Sequence, residues 1–413
     1  MTIDTQPGNI PPRYRDDLDF QPVDLEGDSF ILVNDPLQIQ EEPMVLSQGA
    51  FMILQLLDGE RSVENILDIL RQQYRAVGVE ISQILEVIQT FRQSHLLEDE
   101  RYLAFVEEMI QRFEDAPTRL PFHAGVSYPE DKEELTRWVD SLLEQVDPPT
   151  VEADSLVAVV APHLDLRVES KSYALTYKAL QGLDVERVII LGTGHQLRQG
   201  MFSLTNKDYE TPLGTMPCDT EAVAVLREAA GALLDDRDFA HSREHSIEFQ
   251  IPFLQRVLQN PETPIVPVLC GSMSAHLEDC QVPTDIEGVE PFLKALSSLL
   301  TPKTLVVAAV DFCHVGLKFG HPYTGEMMEN AARAHDANLL KALEVGSLDA
   351  LWKESRRVMD FYNVCGFSSM SCLLGALPDI KGHVARYGVW HEAETGSAVS
   401  FASILFQGAE AAA

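Results

Sequence analysis

Leu305-Val-Val-Ala-Ala-Val-Asp311-Phe-Cys-His314 decides the fold, because an apolar run stops abruptly at a carboxylate and an imidazole. Two other stretches share this grammar: Leu156-Val-Ala-Val-Val-Ala-Pro-His163 and Val188-Ile-Ile-Leu-Gly-Thr-Gly-His195. Runs this short, β-branched and uninterrupted predict strands buried on both faces of a parallel sheet. Ligands of open α/β sheets bind beyond the carboxyl ends of the strands. His163, His195, Asp311 and His314 are therefore expected on one edge of one sheet.

Working outward, strand and helix alternate from about residue 117 to 408. Helices are expected at Thr136–Val146, Lys171–Leu180, Glu221–Leu233, Ser246–Leu258, Val289–Leu300, 324–345 and 368–376. Pro148-Pro149 precedes the first buried strand, Ile265–Cys270 is a further strand, and Val399–Phe406 is a late one. The pattern describes one α/β domain: a mainly parallel central sheet flanked by helices. Residues 1–17 are polar and Pro-rich and read as an arm. Residues 18–115 read as a small helix-rich module with one strand, Ser29–Val33, before the turn Asn34-Asp-Pro36. Ser62 is placed to cap a helix whose Val63, Ile66, Leu67, Leu70 and Tyr74 share a face. Gln48–Leu57 is an earlier helix, stopped by Asp58-Gly59; Ile81, Ile84, Leu85, Ile88 and Phe91 repeat the pattern in a third, and Leu103–Phe113 forms a fourth.

The whole chain has 413 residues, enough for two or three domains, and its 45% hydrophobic content allows a sizeable core. A formal charge of -33, spread along the chain, repels nucleic acid and anionic membranes. No stretch is long and apolar enough to span a bilayer, and Met1–Pro7 lacks the blocks of a signal peptide. The six cysteines include no C-x-x-C pair. Free thiols in a reducing cytoplasm are the expectation. No Walker sequence is present, Gly192-Thr-Gly194 is not a dinucleotide fingerprint, and no G-x-S-x-G elbow appears, which argues against a serine hydrolase.

Two histidines at neighbouring strand ends would need a thiolate or carboxylate to make a three-ligand metal site with an open position. Cys365 is the best-placed thiol, just ahead of a helix start, where a thiolate is favoured. On spacing alone it reads as a buried packing thiol. Glu244-His245-Ser-Ile-Glu248 and Asp311-Phe-Cys-His314 each set a carboxylate near a histidine, as acid–base and ligand-orienting roles require. Singly, these histidines read more simply as caps or satisfied core side chains. Together, several segments would have to reach one sheet edge by accident. His123 is a further candidate, whereas His95, His241, His276, His321, His335, His383 and His391 are expected to be structural or on the surface, and Cys313 receives no role.

The ordered set His123-Ala-Gly125, Ala161-Pro-His163, Ile190-Leu-Gly-Thr-Gly-His195, Thr211-Pro-Leu-Gly214, Glu244-His-Ser-Ile-Glu248, Ile265-Val-Pro-Val-Leu269, Val310-Asp-Phe-Cys-His314, Cys365-Gly366 and Ser397-Ala-Val-Ser400 resembles the Memo family. Its bacterial members are called AmmeMemoRadiSam system protein B. The resemblance spans roughly residues 118–407. It implies a fold similar to class III extradiol dioxygenases, which use non-haem iron(II). It also implies metal ligands at His163, His195 and Cys365, with Asp311, His314 and His245 as polar residues lining the pocket. Cys365 stands where the dioxygenases have a carboxylate, and a soft ligand suits iron or copper better than magnesium or calcium. Leu164-Asp165 replaces the usual Ala-Gly, Gln196 a usual second histidine, and Phe367 a frequent basic residue. The amino-terminal module resembles the winged-helix-like, peptide-binding PqqD-like domains through Asn34-Asp-Pro-Leu37, Leu46-Ser47 and Leu57-Asp-Gly-Glu-Arg-Ser62.

The expected function is a cytoplasmic metal-binding protein with dioxygenase-like redox chemistry on a small-molecule or peptide substrate. In that reading His314 or His245 serves as acid or base, and Asp311 orients a neighbour. One alternative is a non-catalytic peptide- or partner-binding protein associated with a radical enzyme. Another is a zinc-dependent hydrolase, since two histidines and a cysteine also suit zinc.

Overall fold

The computed structural model describes residues 10–25, 27–37, 39, 44–76, 78–147, 151 and 155–408. The start of the expected arm and Pro148-Pro149 lie outside them. The chain divides into two compact units, Met1–Arg112 and Phe113–Ala413.

The first unit begins with β1 (Asp19–Leu25), β2 (Asp28–Asn34) and β3 (Met44–Ser47), an antiparallel sheet in the order β1-β2-β3. Only β2 was expected. Pro22 obscures β1 in the sequence, yet an edge strand tolerates its missing N–H. Helices α1 (Gln48–Leu56), α2 (Val63–Gln73), α3 (Ile81–Gln93) and α4 (Glu100–Asp115) follow. Ser47 and Ser62 cap α1 and α2 by accepting from Ala50 and Asn65 N–H. Leu67, Leu70, Ile84 and Ile88 are buried together in this unit's own core. Residues 10–17 do not form a free arm throughout. Arg15 is fully buried and paired with Asp17 and Asp35.

The second unit opens with β4 (Thr118–Arg119), α5 (Lys132–Glu144), β5 (Leu156–Ala161), α6 (Ser170–Lys178) and β6 (Arg187–Thr193). Then come β7 (Phe202–Leu204), β8 (Asp208–Thr211), β9 (Gly214–Met216), α7 (Thr220–Ala230), α8 (His245–Glu248), α9 (Ile251–Val257) and β10 (Ile265–Cys270). The remainder is α10 (Val289–Ser298), β11 (Thr304–Ala309), β12 (His314–Gly316), α11 (Gly325–Glu344), α12 (Leu348–Val358), α13 (Phe367–Ala376), β13 (Ile380–Glu392) and β14 (Ser397–Gly408). The main sheet runs β12-β14-β5-β11-β6-β10-β7, with β13 added on β14. Its interior strands β5, β11, β6 and β10 are parallel, and the strands outside them pair antiparallel. The fold is thus α/β, with a mixed sheet whose parallel centre is flanked by helices.

The interior strands are apolar throughout because both faces are covered. Val160, Leu191, Val268 and Val306 pack on one side, and Val159, Ile190, Leu269 and Val307 on the other. Truncating one such side chain to Ala would cost roughly 2–5 kcal/mol for a leucine or isoleucine. The helix expected over Ser246–Leu258 is two short helices, α8 and α9. Pro252 cannot donate to the preceding turn, and its ring crowds the carbonyl four residues back. Helix α12 and strand β13 were not anticipated. Strand β13 is half-buried along most of its length, which blurs any alternation.

Candidate metal centre

The parallel neighbours β5, β11 and β6 bring three strand ends side by side. Pro162 ends β5, and His163 follows, almost fully buried. Its backbone N–H donates to Asp311 Oδ1 (3.1 Å), and its Nδ1 faces Ala309 O at 2.9 Å. A carbonyl only accepts, so Nδ1 carries a proton and Nε2 is the ring nitrogen left to face the other candidate ligands. That Nε2 lies 3.3 Å from Cys365 Sγ and 3.5 Å from Asp311 Oδ2.

His195 follows β6 and is tied twice to Glu244. Its backbone N–H donates to Oε2 (2.9 Å), and its Nδ1 to Oε1 (3.0 Å). This carboxylate–histidine pairing fixes the tautomer and turns the other ring nitrogen outward. Glycine makes the approach feasible. A Cβ at Gly192 would meet Ile247 Cγ1 and Ser246 Oγ at 2.7 Å. The segment carrying Glu244 could then not lie against the end of β6.

Cys365 sits just before Gly366, the N-cap of α13. A Cβ at Gly366 would come within 2.2 Å of Val310 Cβ, so only glycine lets the thiol come this close to Asp311. Sγ is 3.6 Å from Asp311 O. The ligand atoms of His163, His195 and Cys365 all lie within 4.8 Å of one another. A second group within that spacing is His195, Glu244 and His245.

Electrostatics agree with this geometry. Burial alone would raise the Cys365 thiol, but His163 and hydrogen bonds to both histidines bring it below the ordinary thiol value. Burial opposes a charge on His195, yet Glu244 and Cys365 outweigh it and push that imidazole well up. Burial likewise opposes ionisation of Glu244, but His195 and His245 hold it well below the usual carboxylate range. Asp311 behaves differently: burial dominates and pushes it up to about 6.

The remaining expected residues surround this trio. The His245 ring stacks on His195 at 4.8 Å, and its Nδ1 is 3.3 Å from Glu244 Oε1. Burial, with the other histidines, keeps it well below the ordinary imidazole value. His314 opens β12, and its Nδ1 donates to Phe312 O (3.0 Å), which frees Nε2. Burial lowers its pKa as well. A cavity of about 330 Å³ lies beside the trio, and His195, His314 and Cys365 are among its lining residues. His245 is not among them. His123 sits one ring further out, its ring 5.9 Å from that of His245 and its Nε2 3.1 Å from Arg243 O. Phe367 lines the cavity where the resemblance led one to expect a basic residue.

One residue was missed in the sequence, and one was read only in part. Glu244 was seen only as part of a motif, and Arg119 not at all. Arg119 is fully buried, pairs with Glu248, and donates to His241 O and Glu244 O, both at 3.0 Å. Glu248 also accepts from Tyr128 Oη (2.6 Å) and from His123 N–H (2.8 Å). This buried pair clamps the turn that presents Glu244 and His245. The available signal was two carboxylates four residues apart flanking a histidine, with no sequence cue to their cation. His241, His321 and His335 are buried and hydrogen-bonded. Cys313 donates to Asp336 Oδ1 at 3.0 Å, away from the trio.

A family model described as "Memo-like protein" matches residues 119–405. The chain is 29% identical over 394 residues to a MEMO1 family protein of Aquifex aeolicus, covering 94% of this chain and 98% of that one. It is 25% identical to a MEMO1 family protein of Nitrosopumilus maritimus, covering 70% and 99% of the two chains. With the Protein memo-1 homolog of Caenorhabditis elegans it shares 32% identity over 50% of this chain and 55% of that one.

Proposed function

We propose a function from the premise that this chain belongs to the Memo-like protein family, which its match over residues 119–405 establishes. The protein is a metal-dependent redox protein that holds iron(II) or copper on His163, His195 and Cys365. The observation that carries this is the spacing: two imidazole nitrogens and one thiol within 4.8 Å of one another. The fit is chemical as well. His163 keeps Nε2 free because Ala309 O takes the Nδ1 proton, and Cys365 is biased toward thiolate. Two imidazoles and a thiolate suit a borderline or soft transition ion. The same donors suit zinc, which would make the site hydrolytic rather than redox-active. When bound, iron or copper would supply an open coordination position and a one-electron couple.

The protein's own groups do the rest. Glu244 fixes the His195 ring and supplies its counter-charge. Asp311 holds the His163 backbone and lies beside its ring. His314 faces the cavity and takes or gives a proton at Nε2, since Nδ1–H is committed to Phe312 O. His245, neutral and stacked on His195, serves as a reserve proton carrier. The amino-terminal unit, which has its own core, acts as a PqqD-like docking module for a peptide or a radical enzyme of an AmmeMemoRadiSam-type system in the cytoplasm. The Aquifex aeolicus relative, aligned over 94% of this chain, supports treating that unit as part of the working protein.

The test is metal stoichiometry of protein purified without oxygen, beside oxygen consumption or metal reduction. Cys365→Ser should lose iron or copper, because a hydroxyl is harder and far less acidic. His314→Ala should keep the metal and lose about 10²–10⁴ in rate. Equal metal loss in both would make His314 a ligand. Full retention in Cys365→Ser would reduce the thiol to packing.

A further inference from the structure

The cavity beside the trio has a one-sided chemistry. Phe319 and Phe367 form its apolar walls, and Ser272, Ser274, Asn363 and Asp360 supply polar groups. Among the described residues its lining contains no lysine or arginine, and Asp360 is its one carboxylate. Asn363 spends its amide N–H groups on His314 O and Phe319 O, both at 3.3 Å, so its free function is an acceptor. Two histidines also line it: His195 already faces Glu244, and His314 commits its Nδ1–H to Phe312 O, which leaves Nε2 as an acceptor.

The backbone that presents these acceptors is held in an unfavourable conformation. Met359, Asp360 and Asn363 have φ of 50°, 52° and 49°, three of the five non-glycine residues with positive φ in the described structure. Met359 is the C-cap of α12, where this conformation is ordinary; at Asp360 and Asn363 it costs up to about 1–3 kcal/mol each and persists because the surroundings enforce it. Here the enforcement is visible. Val364 N–H donates to Asp360 Oδ1 (3.0 Å), and the Asn363 side chain ties the segment to His314 and Phe319. The segment ends at Cys365, so the strained turn and the metal trio are continuous.

We propose that this cavity takes a small organic cation, a primary amine carried on an apolar or aromatic body, with its ammonium group on Asp360. The inference rests on reading the cavity as the substrate pocket beside the metal. A volume of about 330 Å³ suits one aromatic ring with a short side chain rather than a folded peptide. Phosphates and carboxylates would enter a lining that offers no lysine or arginine among the described residues to receive them. An ammonium would instead find the Asp360 carboxylate and the Asn363 carbonyl oxygen, with an aromatic wall for its body.

The test compares tyramine with 4-hydroxyphenylacetate, which share a phenol ring and differ mainly in the sign of the side-chain charge. Binding to the full-length protein is measured by titration calorimetry, with metal content determined on the same preparation. Tyramine should bind about tenfold or more tighter, as a charge-assisted hydrogen bond in a partly buried site implies. Asp360→Asn should abolish that preference while leaving metal stoichiometry unchanged. A lysine-containing pentapeptide must bind more weakly than tyramine, because the proposal commits to a free small amine. Equal or tighter binding of the carboxylate, a preference that survives Asp360→Asn, or a stronger peptide would each overturn it. Metal-free protein that still prefers tyramine would defeat the metal reading alone. Metal-loaded protein without the preference would defeat this inference alone.

Discussion

Glu244→Gln separates a residue that positions a ligand from one that merely caps a helix. Glu244 accepts from His195 N–H through Oε2 at 2.9 Å. Its Oε1 accepts from His195 Nδ1 and Ser246 N–H, both at 3.0 Å, and lies 3.3 Å from His245 Nδ1. Glutamine keeps the shape but has one acceptor oxygen. If that oxygen takes the Oε1 position, the amide NH₂ meets the His195 backbone N–H, donor against donor. If it takes the other position, the ring and Ser246 lose their acceptor. Either choice strands a buried donor, which costs about 1–3 kcal/mol of folding stability. Loss of the charge would also weaken the bond that, on the proposed metal reading, makes His195 a better ligand, and such outer partners are worth typically about 10–100-fold in metal affinity. The assay is anaerobic competition against a chromophoric chelator for iron(II) or copper(I), with urea midpoints run in parallel. Lower stability with unchanged metal affinity would leave Glu244 as the cap of α8 alone and refute its positioning role.

Two further outcomes follow from buried groups. Gly366→Ala places a Cβ about 2.2 Å from Val310 Cβ, so it should cost about 1–3 kcal/mol and displace Cys365; unchanged melting temperature and metal content would contradict this. His241 is fully buried, and burial holds its pKa down to about 3. Below about pH 6.5 the unfolded chain takes up a proton that the folded one refuses, so His241 makes stability fall as pH drops from there toward 3, by up to about 1.4 kcal/mol per pH unit. His241→Gln should remove that share, read as the difference in urea midpoints between pH 5 and 7.5; identical pH slopes for parent and variant would refute it.

What the sequence made legible was whatever depends on short-range pattern. Val188–Leu191 and Leu305–Ala309 are buried on both faces, so no polar alternation competes with the strand signal. A polar residue directly after such a strand has little freedom in where it lands, which is why His163, His195 and Asp311 could be placed together. Strand β13 escaped because its side chains are half-exposed on an outer ribbon, where neither a continuous nor an alternating pattern is required. Strand β1 escaped behind Pro22, and the break between α8 and α9 behind an apolar run that Pro252 interrupts.

The buried clamp escaped for a different reason. Arg119 and Glu248 are 129 residues apart, and neither carries a local cue to the other. Their pairing exists only because β4 lies alongside β8, which brings residue 119 beneath the turn at 241–248. Burying such a pair is costly unless every hydrogen-bonding position is used. Here the guanidinium reaches two carbonyls of that turn, and the carboxylate takes Tyr128 and two backbone N–H groups. The expense falls on the one segment that must hold Glu244 against His195. Strand ends thus explain where His163 and His195 emerge, while a nonlocal ion pair explains why the His195 ring keeps its orientation. Of these two layers, only the first can be read along the chain.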